Sequence, residues 1–169
     1  MATTYEAIAT VEVGAGGAAN IEFTSIPQTY TDLVILLSAR TTYAQVGDGI
    51  IAQFNSNTSN LSTRRLYGTG SATGSDSYSF AYAGYANGST GTANTFGNSY
   101  LYIPNYAGSN NKSFSTDGVA ENNATTGIQA LAASLWSNTA AITSIKLLSE
   151  NASNFAQYST ATLYGIKNS

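Results

Sequence analysis

The sequence predicts an all-β fold, an antiparallel sandwich, jelly roll or barrel, and three observations carry that expectation. Roughly ten short segments of alternating or branched apolar residues are separated by Gly, Asn, Ser and Thr clusters, the spacing of strands joined by turns. The longest apolar run, Leu33-Val34-Ile35-Leu36-Leu37, is too short for a stable helix or a bilayer span, so it reads as a strand covered on both faces. Only 9% of residues are charged, yet 12 Tyr, 6 Phe and one Trp stand against two Pro, which is not the composition of a disordered polymer. At 169 residues the chain fits one domain, residues 1–169, and no shift in composition divides it.

Tyr5 to Val13 alternates, with Tyr5, Ala7, Ala9, Val11 and Val13 on one face. Gly14-Ala15-Gly16-Gly17 then turns the chain into Ala19 to Thr24, which predicts a hairpin. Ile21 and Phe23 alternate with polar neighbours until Ile26-Pro27 breaks the run ahead of the central apolar strand. Gly47-Asp48-Gly49 reads as a turn before a short strand, Ile50 to Asn55. Leu61 to Tyr67 carries Arg64-Arg65 and reads as a strand near a sheet edge, where charge discourages pairing with other chains.

Gly68 to Ser77 has nothing to bury and reads as a loop. Tyr78, Phe80 and Tyr82 alternate with Ser79 and Ala81, an aromatic ladder typical of a strand, and Tyr85 follows Gly84. After the polar stretch Asn87 to Asn94, Tyr100 and Tyr102 alternate with Leu101 and Ile103 up to Pro104. In Lys112 to Glu121, Asp117-Gly118 is either a two-residue hairpin turn or a bulge in one longer strand. Ile128 to Trp136 is the segment most open to a helical reading, because Ala and Leu favour helix, but the regular spacing of short segments around it favours strand. Strands at Ala141 to Ser149 and Thr160 to Lys167 complete the chain.

Composition excludes several functions. A net charge of −3 with six dispersed basic residues gives no footprint for a phosphate backbone, so no nucleic-acid partner is expected. Without cysteine or histidine there are no disulfides, no thiolate ligands and no imidazole base, and the nine acids are too scattered for calcium. No metal and no cofactor is expected. The N-terminal MATTYEAIATVEV has neither a basic nor an apolar signal region, so synthesis in a cytosol is expected, with no membrane partner.

Two segments carry a resemblance. Phe23-x-x-Ile26-Pro27-x-x-Tyr30-x-Asp32-Leu33, with the apolar strand and Arg40 after it, and the closing Leu163-Tyr164-Gly165-Ile166-Lys167 together resemble small bacteriophage virion proteins. These include capsid decoration (cement) proteins and tail or head fibre modules. The resemblance covers both ends and hardly touches the Gly/Ser/Tyr middle. It implies an antiparallel two-sheet sandwich of jelly-roll type and a structural role in the virion. It also implies a symmetric homo-oligomer, commonly a trimer, partnered by the major capsid protein or other virion proteins. For a fibre module the partner would be a host surface glycan.

Enzymatic motifs fare poorly. Gly14-x-Gly16-x-x-Ala19 lacks the helix that a dinucleotide fingerprint must open, and Ser109-x-x-Lys112 lies in an Asn/Gly turn without its companion motifs. Asp117 and Glu121 are the one acid pair available in the second half for hydrolysis, and an ordinary turn aspartate and a solvated strand end explain them better. No catalytic residue is therefore assigned, and the expected protein is not an enzyme. Tyr78, Phe80, Tyr82 and Tyr85 are the interaction candidates, because Tyr among Ser, Gly and Asn makes adaptable contact surfaces as well as core caps. Trp136 is a further sugar-stacking candidate, although burial at a strand end suits it better.

Overall fold

The computed structural model describes residues 5–124 and 126–167, and among them it contains no helix and twelve strands. They are β1 (Tyr5–Glu12), β2 (Asn20–Phe23), β3 (Asp32–Ala39), β4 (Gly47–Phe54), β5 (Leu61–Gly68) and β6 (Thr73–Tyr78). The second half supplies β7 (Ala81–Asn87), β8 (Gly97–Ile103), β9 (Lys112–Glu121), β10 (Gly127–Trp136), β11 (Ile145–Ser149) and β12 (Thr160–Ile166). They form two antiparallel sheets, ordered β1-β12-β3-β8-β9-β10-β5-β6 and β2-β11-β4-β7. The all-β sandwich expected from the sequence is what the chain forms.

When β5, β6, β9 and β10 are set aside, the remaining strands pair β1 with β12, β2 with β11, β3 with β8 and β4 with β7. Hydrogen bonds between Val13 and Tyr158 or Ser159, and between Ala18 and Phe155, carry the pairing across the bend from one sheet to the other. This is the order a long two-stranded ribbon takes when wound into two layers. The other four strands extend the large sheet beyond β8, and β10 of the β9–β10 hairpin accepts β5 of the β5–β6 hairpin.

The core follows from the pleat. Leu33, Ile35, Leu37 and Ala39 point inward with Leu101, Ile103, Ala161 and Leu163, and meet Ile50, Ala52, Phe54, Ile145 and Leu147 of the small sheet. Phe114 and Trp136 close on Phe54 at ring separations of 5.2 and 5.6 Å. Trp136 is buried and cannot stack on a sugar.

The two resembling segments meet each other. The Tyr30 ring lies on Gly165, where a Cβ would come within 2.3 Å of it, and Lys167 Nζ sits 5.2 Å from the ring centre. Asp32 is buried and accepts hydrogen bonds from Tyr102 Oη and the Asn105 N–H, both at 2.9 Å.

Several expectations need correction. Tyr5–Glu12 and Asn20–Phe23 form no hairpin with each other: the glycine turn carries the chain from the large sheet to the small one. The central strand is covered by the second sheet on one face only, since Leu36 on the other is 46% exposed. Gly47 and Gly49 belong to β4 itself, and Ala141 to Ser144 precede β11, held by Asn55 side-chain bonds to Ala141 O, Thr143 N and Ser144 N. Gly68 to Ser77 contains strand β6, which pairs with β5. The aromatic ladder is broken, because Tyr78 ends β6 and Tyr82 lies in β7 of the other sheet.

Asp117-Gly118 forms neither a turn nor a bulge, since β9 runs straight through it in regular register with β8 and β10. Its glycine is there for proximity: a Cβ on Gly118 would lie 2.9 Å from the Tyr85 backbone nitrogen. Small residues thus let the large sheet fold over β7. That strand turns Ala81, Ala83 and Ala86 to the main core and Tyr82 and Tyr85 to Ala130 and Ala132 of β10.

The loop after β7 is tied down rather than free. The Arg40 guanidinium donates to the carbonyls of Ser89, Gly91, Thr92 and Thr95 at 2.8–3.1 Å. Arg40→Ala is therefore expected to speed amide hydrogen exchange in residues 89–95 by about ten-fold or more, leaving the strand amides unchanged. Mass-spectrometric exchange reads this directly.

Candidate functional site

The distinctive chemistry lies on the four added strands. Alternation along β5 puts Leu61, Thr63, Arg65 and Tyr67 on the inner face, so Arg65 points between the sheets where β7 presents tyrosines instead of alanines. Its guanidinium carbon stands 5.1 Å from the ring centres of Tyr67, Tyr78 and Tyr82 and 5.6 Å from that of Tyr85. It forms a salt bridge with Asp76 of β6 and donates to Tyr85 Oη at 3.1 Å and Tyr82 Oη at 3.4 Å. Arg65 is 7% exposed, and its Nε has no partner. A delocalised cation suits this box because its faces meet π-systems while its edge meets oxygen.

Ionisation follows from those contacts. Hydrogen bonds from Arg65 and Tyr78 hold the Asp76 carboxyl below the usual carboxylate range. Burial raises the phenols of Tyr78, Tyr82 and Tyr85, keeping them neutral donors and acceptors.

Three of the four interaction candidates, Tyr78, Tyr82 and Tyr85, converge on Arg65, while Phe80 stacks on Tyr78 at 4.6 Å. Tyr82 is fully buried and cannot touch a ligand. Tyr78 and Tyr85 line an open cleft of about 600 Å³ with Arg65, Tyr43, Gln45, Glu150 and Asn151. Gly47 and Gly49 form part of its wall: Tyr85 lies against the first, and the Glu150 carboxylate covers the second, where a Cβ would come within 2.1 Å of Oε2. Asn151 is oriented by donating through Nδ2 to the buried Asp48 at 2.9 Å. Burial of the carboxyl raises Glu150 above the usual range, an effect opposed by Arg65 and reinforced by Asp48 and Asp76.

The outer face of the large sheet carries a second feature. Register places Leu36, Tyr100, Asp117, Leu131, Leu66 and Ser75 in one row across β3, β8, β9, β10, β5 and β6. Leu66 and Leu131, directly paired, are each 63% exposed. Shallow depressions of about 690 and 660 Å³ flank that pair.

Other sequence candidates separate. Asp117 and Glu121 stand four residues apart on one strand face, about 13 Å at the rise of a β-strand, beyond the span of a hydrolytic carboxylate pair. Lys112 Nζ donates to the carbonyls of Gly108 and Asn110 at 2.6 and 2.7 Å. Among the described residues no three His, Cys, Asp or Glu side chains are grouped to hold a metal, and no helix is long and apolar enough to cross a membrane.

Sequence reasoning missed Arg65, Asp76, Tyr43 and Glu150. The signal for Arg65 was present, because the alternation that buries Leu61 also buries position 65. No protein-family model, curated protein or solved structure matches this chain.

Proposed function

We propose that this chain is a structural protein of a bacteriophage virion, a jelly-roll capsid decoration protein that acts by adhesion as a homo-oligomer, a trimer being the number the resemblance implies. The wound-ribbon strand order supports the jelly-roll reading. The observation that carries the adhesive role is the exposed Leu66–Leu131 pair on the outer face of the large sheet, toward its β6 edge. Isolated exposed leucines are ordinary, but a directly paired couple flanked by two shallow depressions is the mark of an interaction surface.

The occupant we infer is a second copy of the chain. The patch carries one cation, Arg64, and one acid, Asp117, both exposed on the same outer face, so it is complementary to itself. The assembly then attaches to the major capsid protein. Light scattering after size exclusion is expected to give an oligomer for the wild type and a monomer for Leu66→Ser/Leu131→Ser. The melting temperature should be nearly unchanged, because exposed side chains contribute little to folding. The same variant should lose about ten-fold or more in co-sedimentation with phage particles. A wild type that stays monomeric at all concentrations and never sediments with particles overturns the proposal.

A further inference from the structure

We propose that the cleft between the Gly47–Gly49 end of β4 and the β5–β10 side of the large sheet binds a neutral saccharide. Size is the first argument: about 600 Å³ lies within the range of small-ligand sites, and the cleft opens to solvent. Its lining is the second. Tyr43 and Tyr85 offer aromatic surface for the C–H face of a pyranose, while Glu150 and Asn151 offer acceptors for its hydroxyl groups. One N–H of Asn151 Nδ2 donates to Asp48, which orients the amide and leaves Oδ1 to accept from a hydroxyl.

Charge selects among ligands. Arg65 and Glu150 are the charged residues of the lining, and Arg65 is already answered by Asp76. The carboxylate of Glu150 is therefore the uncompensated charge, and a phosphate, sialic acid or uronic acid would be repelled by it.

The walls are preformed rather than assembled on binding. Tyr85 is positioned by its backbone N–H donating to Ser99 Oγ at 2.9 Å, and Tyr43 by its carbonyl accepting from Ser89 N and Oγ at 2.7 and 3.0 Å. The glycines at 47 and 49 leave the room that the Tyr85 ring and the Glu150 carboxylate occupy. Tyr82 and Trp136 are buried and take no part, and the lining comes from three separate loops and strands.

Saturation-transfer NMR with neutral di- and trisaccharides of glucose, galactose, mannose and N-acetylhexosamines, beside sialylated and uronic-acid counterparts, tests it. At least one neutral compound is expected to receive saturation, and none of the acidic ones to do so more strongly. Tyr43→Ala and Glu150→Ala, which remove no hydrogen bond or salt bridge of the Arg65 guanidinium, should weaken that binding about ten-fold while nearly keeping the wild-type melting temperature. Silence from every neutral sugar, stronger binding of acidic sugars, or binding unchanged in both variants overturns the proposal. Leu66→Ser/Leu131→Ser should keep the sugar signal, so failure here is distinct from failure of the oligomer.

Discussion

Arg65→Leu is expected to lower stability by about 3 kcal/mol, the lower end of the loss seen when a buried ion pair is broken by removing one partner. The lower end applies because Asp76 is 31% exposed and water can reach it, whereas the Arg65 side chain is 8% exposed. Leucine fills part of the space among the tyrosines, but it offers no donor to Asp76, Tyr82 Oη or Tyr85 Oη and no cation to the rings. For a domain of this size the thermal midpoint should fall on the order of 10 °C, measurable by circular dichroism. Arg65→Lys should recover little, because a compact, strongly hydrated ammonium lacks the planar fork that turns its faces to the rings and its edge to the oxygens. Asp76→Asn alone should cost less than Arg65→Leu, and the double variant less than the sum, since both break the same bridge.

The same bridge sets a pH dependence. The Asp76 carboxyl is depressed in the folded state by Arg65 and Tyr78, relative to an ordinary aspartate near pH 4. A depressed carboxyl contributes stability that is fully present above the unfolded value and is lost as pH falls through the folded one. The gap in stability between wild type and Arg65→Leu should therefore hold from about pH 5 upward and narrow below about pH 4. A gap that stays constant down to pH 2 would mean that the arginine acts through its packing and its ring and phenol contacts, not through the carboxylate.

How far the sequence reveals this architecture depends on which physics each segment answers to. Strands whose alternation reports one buried face, such as Leu101 and Ile103 against Tyr100 and Tyr102, are legible because the pleat alone decides them. Thr73–Tyr78 is not, because it is the edge strand of the large sheet, joined to it through β5 alone, and buries almost nothing. The glycines at 47, 49 and 118 mislead for a common reason. Glycine signals a turn when its dihedral freedom is used, and here its missing side chain is used instead, to admit a ring, a carboxylate and a backbone. The interaction candidates were legible as a cluster because Tyr78, Tyr82 and Tyr85 are close in sequence. Tyr43 and Glu150 join them only through the pairing of β4 with β7 and β11, which no local pattern encodes.

Gly84→Ala should be comparably severe and tests how closely β7 is pressed to the large sheet. Gly84 has a φ of +128°, a conformation that side-chain-bearing residues rarely adopt, and its new Cβ would lie 2.0 Å from Ser99 Oγ and 2.3 Å from Ser99 Cβ. The two penalties are separable. Backbone strain contributes about 1–3 kcal/mol and overpacking a similar amount, so a total near 3 kcal/mol is expected. Ser99→Gly in the same chain removes the collision but leaves the dihedral strain, and it deletes the Ser99 hydroxyl that accepts from Tyr85 N–H and donates to Tyr85 O. The double variant should therefore regain about half of the lost stability, by chemical denaturation, and no more. It should also remain defective in the cleft, because Tyr85 has lost the group that positions it. Full recovery of stability would show that the strand tolerates a side chain at position 84, and that the contact with Ser99 alone makes glycine necessary there.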